Sequence, residues 1–183
     1  MSSNRVILGI DPGTSILGYG VIQGVKTPEF VTMGVIHLDK IKDPFEKLTE
    51  IYRFTNQLIE QYHPDSLAIE APFYGKNIQS MLKLGRAQGV ALSAAISHGL
   101  AVAEYLPRKI KMAVTGNGNA SKEQVAGMLQ VLLKYGESPA YFDATDGLAV
   151  ALCHFYQNRL SSSPKSYSSW KEFVGKNPKR INK

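Results

Sequence analysis

At 183 residues with 44% hydrophobic composition, the chain is large enough for one globular core without disulfide or metal staples. Its single cysteine, Cys153, excludes an internal disulfide, and no apolar run approaches the length of a membrane span. Of the formal charge of +6, +5 falls on the segment from Ser161 onward, where Lys165, Lys171, Lys176, Lys179, Arg180 and Lys183 face only Glu172.

That distribution divides the chain into one α/β domain over 1–160 and a basic, Ser/Lys-rich, flexible tail over 161–183. The tail reads equally well as an electrostatic tether to a polyanion or as a solubilising end. Cys153 lies in the apolar stretch AVALCHF, which suits a buried thiol in a reducing compartment, so a cytoplasmic location is expected. The opening MSSNRVILGID has too short an apolar stretch for a secretory leader.

In chain order, 5–10 reads as a buried strand and 18–23 as a second, joined by a Gly-rich turn into a hairpin, and 30–38 as a third β-rich run. From 43 to 62 the period changes: Phe45, Leu48, Ile51, Phe54, Leu58, Ile59 and Tyr62 fall on one helical face, and Pro64 ends the helix. SLAIE, 66–70, is a short strand closing on a carboxylate. A long helix follows over 77–98, with Gly85, Ala87, Gly89, Ala91, Ala94 and Ala95 small enough for close packing. Residues 100–106 form another strand. Arg108 to Lys111 lead into the loop TGNGNAS, and Ser121 and Gln124 have capping-box spacing for a helix running to about Tyr135. The last helix starts near Asp143 and runs through DGLAVALCHFYQNRL.

Four carboxylates stand at element ends: Asp11 after the first strand, Glu70 after a later one, and Asp143 and Asp146 at the start of the last helix. Asp11 alone, followed by Pro12 and Gly13, is an ordinary turn former. Asp143 and Asp146 are three residues apart and share a helix face. One of them would be a cap; two are less easily explained so. Four carboxylates in one cleft repel unless cations neutralise them. Oxygen ligands without a Cys or His pattern favour Mg²⁺ or Mn²⁺ over Zn²⁺. Two such ions roughly 3.5 to 4 Å apart activate water and stabilise both oxygens in phosphodiester hydrolysis. His154 falls too far along the last helix to join this set and is structural.

Further candidates flank it. Phe73 and Tyr74, beside Lys76, either pack in the core or present a stacking platform to unpaired bases with the lysine on a phosphate. Arg108, Lys109, Lys111 and Lys122 either contact phosphates, with Gly116 and Gly118 letting the main chain approach, or lie on a solvated face. Nucleotide binding has no support there, because the spacing G-x-x-x-x-G-K is absent.

The segments ILGIDPGT...GYGVI, AIE..F..KN, LKLG.A.GVA, VTGNG.A.KEQV and DA.DGLAVA, in this order and spacing across 5–160, make the chain resemble the RuvC family of Holliday junction resolvases. The resemblance implies an RNase H-like fold, with a mixed central sheet whose first strands are antiparallel and whose faces carry helices. It also implies a homodimer that cuts four-way DNA junctions by paired incisions in recombination and repair, leaving 3′ hydroxyl and 5′ phosphate ends. By motif position the catalytic and metal-binding carboxylates are Asp11, Glu70, Asp143 and Asp146, holding two Mg²⁺ per subunit with Mn²⁺ able to substitute. Phe73 is assigned to bases at the junction point, and Lys111 and Lys122 to DNA near the scissile strand. The RuvA–RuvB branch-migration complex is the implied protein partner. The chain departs from the family pattern at Ala71-Pro72, at the order of Arg86 and Gln88, and at Asn119. Two other classes are a sugar-kinase or actin-like phosphotransferase, which also opens on an Asp-x-Gly-Thr hairpin but needs two lobes, and a non-catalytic junction binder.

Overall fold

Side chains alternate between the two faces of a strand, so a residue's parity decides which helical layer it meets. The computed structural model describes residues 4–72, 77–136 and 142–161. β1 (Arg5–Asp11), β2 (Ile16–Gly24) and β3 (Glu29–His37) pair antiparallel. β4 (Ser66–Glu70) pairs parallel with β1, and β5 (Ala101–Tyr105) pairs parallel with β4. The order β3-β2-β1-β4-β5 is the mixed sheet expected from the sequence.

Helices cover both faces. Leu8, Ile10, Leu17, Val21, Leu67 and Ile69 form one core with α1 (Pro44–Tyr62) and α2 (Ile78–Ser97). The opposite parity, Ile7, Ile22 and Ala68, joins α3 (Pro107–Thr115), α4 (Lys122–Leu133) and α5 (Phe142–Ser161). Among the described residues, no helix is long and apolar enough to cross a membrane.

α5 lies directly on the backbone of β1 and β2. Gly9, Gly18 and Gly20 face it from the strands and Gly147 faces back from the helix, and a Cβ at any of the four would collide with main-chain atoms across the contact. At the other end of the same helix, buried His154 shares hydrogen bonds with the Tyr105 hydroxyl (2.7 Å), Ser66 Oγ (3.1 Å) and Asn158 Nδ2 (3.0 Å). Burial pushes its imidazole below the usual histidine range, with Arg5 adding to the effect. It therefore serves as a neutral link between β4, β5 and α5, and the structural reading of His154 holds. Cys153 is buried as expected.

Four readings change or sharpen. Residues 107–115 form a helix rather than the approach to a loop; only Ile110 and Val114 are buried along its nine residues, too few to register as a period. Gly116 (φ 74°) ends that helix in the left-handed region and Gly118 sits against the Arg108 side chain, so both glycines shape the protein itself. Phe45, placed on the apolar face of α1, is 73% exposed, because the buried stretch of that helix begins only at Ile51. In α2 the alanines 87, 91, 94 and 95 pack inward, while a Cβ at Gly85 or Gly89 would meet nothing.

Gly147→Ala would set its methyl 2.5 Å from the Tyr19 Cα, a backbone atom that cannot rotate away. Urea unfolding should show a loss of about 1–3 kcal/mol or more. Gly127→Ala, in α4 where a Cβ meets nothing, should instead gain about 0.5–1 kcal/mol.

Candidate active site

Asp11 has the parity of Ile7 and Gly9, so its carboxylate turns toward α5. The parallel register pairs Ile10 with Ile69, which brings Glu70, with the parity of Ser66 and Ala68, to the adjacent position on the same face. Asp143 and Asp146 occupy the first two turns of α5, and Gly18 lets that end of the helix settle onto β2. One carboxylate oxygen each from Asp11, Asp143 and Asp146 lie within 4.8 Å of one another. Glu70 stands outside this tight triad but lines the same cavity, of about 130 Å³, as Asp11 and Asp146.

Two lysines complete the cavity. Ser121 caps α4 in a reciprocal capping box with Gln124, and Lys122, the first residue of that helix, directs Nζ to Asp146 Oδ2 (2.6 Å) and Asp143 Oδ1 (3.8 Å). Lys111, from α3, donates to the Ala120 carbonyl at 2.7 Å and so ties α3 to the segment that leads into α4.

The electrostatics follow from crowding like charges into a half-closed space. Burial first, then the charges of Asp146 and Asp143, push the Asp11 carboxyl up to about 7, with Lys122 opposing. Burial, Asp11 and Asp146 push Glu70 up to about 8, against Lys122 and Lys111. Burial opposes the charge on Lys122, yet its hydrogen bond to Asp146 and the neighbouring carboxylates raise its pKa overall. An all-oxygen donor set, with a cationic side chain already drawn into it, fits a hard divalent cation.

Asp11, Glu70, Asp146, Lys111 and Lys122 thus line one cavity, and Asp143 joins them through its place in the triad. Phe73, Tyr74 and Lys76 lie outside the described residues, as does the tail from 162. Lys109 goes elsewhere, its ammonium 5.1 Å from the centre of the Tyr105 ring. Asp39, Asp43 and Glu104 lie away from this site and are exposed. One participant escaped sequence reasoning: Gln88, buried on α2, donates to the Glu70 carbonyl at 3.4 Å and braces the end of β4. A polar residue inside a helical period carries no signal of such a contact.

An RNase H-like sheet with acidic side chains gathered at the ends of its central strands is the architecture of this protein. The family profile described as crossover junction endodeoxyribonuclease RuvC matches residues 7–154. Crossover junction endodeoxyribonuclease RuvC of Christiangramia forsetii is 57% identical over 182 residues, covering 99% of this chain and 95% of the relative. Its counterpart in Bacteroides fragilis is 56% identical over 180 residues, covering 97% and 96%. The structure of T. thermophilus RuvC in complex with Holliday junction substrate superposes with a TM-score of 0.79 at 31% identity, covering 86% of this chain and 97% of that one. The chain belongs to the crossover junction endodeoxyribonuclease RuvC family, a family of nucleases.

Asp11 and Glu70 hold protons more tightly in the folded chain than in the unfolded one, where carboxyls titrate near about 4. The ion-free fold therefore binds extra protons between about pH 4 and the raised values, and loses stability as pH rises through that window. A divalent cation relieves the repulsion but must displace those protons at low pH. The gain in Tm on adding divalent cation should be larger at pH 8 than at pH 5; an equal gain at both would separate these carboxyls from ion binding.

Proposed function

We propose that the chain resolves four-way DNA junctions by paired symmetric incisions, using the cavity at the ends of β1 and β4. The observation that carries this reading is the convergence of Asp11, Asp143 and Asp146 from two distant parts of the chain, with Lys122 against them.

The four carboxylates Asp11, Glu70, Asp143 and Asp146 are assigned as ligands of two Mg²⁺, with Mn²⁺ able to substitute. When bound, the ions supply activation of water and charge stabilisation at the phosphodiester oxygens. Asp11 and Glu70 meet them from a rigid sheet, and Asp143 and Asp146 from a helix fixed by main-chain contact, so the ligand geometry is pre-set. Lys122, now paired with Asp146, would be free to turn its ammonium to a phosphate oxygen if that carboxylate were engaged by a cation. Lys111, on the same cavity wall, offers a second cation to the backbone. Phe73 and Tyr74 are assigned to bases at the exchange point, Lys76 to a neighbouring phosphate, and the basic tail to further electrostatic attraction.

A junction has approximate two-fold symmetry, which a two-fold dimer matches with one site per opposed strand. The exposed face of α2 supports such a dimer. Ile78, Leu82 and Ile96 are 65%, 51% and 59% exposed; Ile78, Leu82, Gly85 and Gly89 repeat at three- and four-residue steps and Ile96 follows one heptad later, as in a helix–helix seam. RuvA–RuvB is the partner proposed to deliver the junction, and the cytoplasm the compartment.

Incubation of a labelled four-way junction with the protein and Mg²⁺ should produce two symmetric nicks and leave a linear duplex of the same sequence intact; an uncut junction would remove the proposal. Asp146→Asn should bind junctions within a few-fold of wild type. Its cutting should be reduced beyond the roughly 10- to 100-fold typical of residues that only support a ligand. Leu82→Glu, at an exposed position, should leave the fold intact and sediment as a monomer; a dimer of unchanged strength would move the interface away from α2.

A further inference from the structure

A second cavity lies on the other face of the sheet, between the turn after Asp11, the start of α1 and the first half of α2. It has a volume of about 270 Å³ and shares no residue with the carboxylate cavity. Its floor, with Leu48 and Ile51, belongs to the core on that face. Its walls carry Lys42, Lys47, Lys83 and Arg86, from two separate parts of the chain, and no carboxylate lines it. Among the described residues none of these four cations forms an ion pair. Lys47 reaches inward, donating to the Thr14 carbonyl at 2.9 Å. Of the two acids adjacent to these lysines in sequence, Asp43 is engaged as the cap of α1 through the Phe45 amide and Glu46 is exposed outside the cavity lining. The Phe45 ring stands on the rim almost wholly in solvent.

Four like charges converging on one concavity repel, and an anion relieves them jointly. An exposed ring beside them offers a face to a sugar or a base. Thr14 lines this cavity and Asp11 lines the other. Three residues of chain span at most about 11 Å, roughly three steps of 3.4 Å along a DNA strand. The geometry points to a second DNA subsite: phosphates a few nucleotides from the scissile one bind to Lys42, Lys47, Lys83 and Arg86, with Phe45 against the adjoining sugar or base.

The subsite rests on the nuclease reading, and wild-type cutting of the same junction in the same experiment separates a failure of one from a failure of the other. The probe is a synthetic four-way junction titrated over a range of salt without divalent cation. Lys42→Glu combined with Lys83→Glu should weaken binding about tenfold or more at low salt. The dependence of log K on log salt should become shallower by about 2 for two lost phosphate contacts. Phe45→Ala should weaken binding about fivefold or more with the slope unchanged, since only stacking is lost. Single methylphosphonates within a few nucleotides of the cut should weaken the wild type at one or two positions and leave the double variant indifferent there. Lys83 adjoins the proposed dimer seam, so sedimentation accompanies the titrations, and if the double variant is monomeric Lys42→Glu alone is used instead, with weaker binding and a slope shallower by about 1 expected for one lost contact. Unchanged affinity and slope, or no methylphosphonate position that distinguishes the proteins, would overturn the subsite. Occupation of the cavity by a protein partner would give that negative result.

Discussion

The contact on which the rest depends is main chain against main chain. α5 meets β1 and β2 with Gly9, Gly18, Gly20 and Gly147 at the points of closest approach, leaving no space for a Cβ between them. A helix held at ordinary side-chain distance would carry Asp143 and Asp146 several ångströms further from Asp11 and break the triad into separate surface acids. The buried link of His154 to Ser66 and Tyr105 secures the far end of the same helix. Two anchors, one at each end, set both the height and the direction of α5 over the sheet.

That closeness has an electrostatic cost, and the fold answers it with a cation of its own. Lys122 comes from a helix whose start is fixed by a capping box, so its ammonium reaches the carboxylates from a defined direction. Its charge offsets part of the carboxylate repulsion, and the rest shows in the raised proton affinity of Asp11 and Glu70. A divalent cation held by these carboxylates would take over part of the neutralisation that Lys122 now supplies.

Strand ends and helix starts were legible in the sequence because carboxylates there interrupt otherwise apolar runs: Asp11, Glu70, Asp143 and Asp146 stood out for that reason. The hairpin was read from the residues and the mixed sheet was implied by the family resemblance, while the strand order itself came from the structure. α3 was hidden, since nine residues with two buried side chains hold no periodic signal, and Gln88 was hidden because a brace to a carbonyl leaves no mark on composition. Lys122 was assigned to DNA by motif position in the family resemblance, while its place among the carboxylates depends on how α4 packs against α5. Phe45 misled in the opposite way: it continues the apolar period of α1 beyond the part of the helix that has a sheet to cover.

The parity of β1 and β4 has a consequence for how this chain can vary. Asp11 and Glu70 meet because each lies an even number of residues from partners that face α5, with the register fixed between Ile7 and Ser66 and between Ile10 and Ile69. Inserting or deleting a single residue in either strand would carry its carboxylate through the sheet, into the apolar layer under α1 and α2. Strand composition can drift among apolar residues, while strand length is held to steps of two. The spacing from Arg5 to Asp11 and from Ser66 to Glu70 therefore works as a ruler that keeps the chemistry on one side of the molecule.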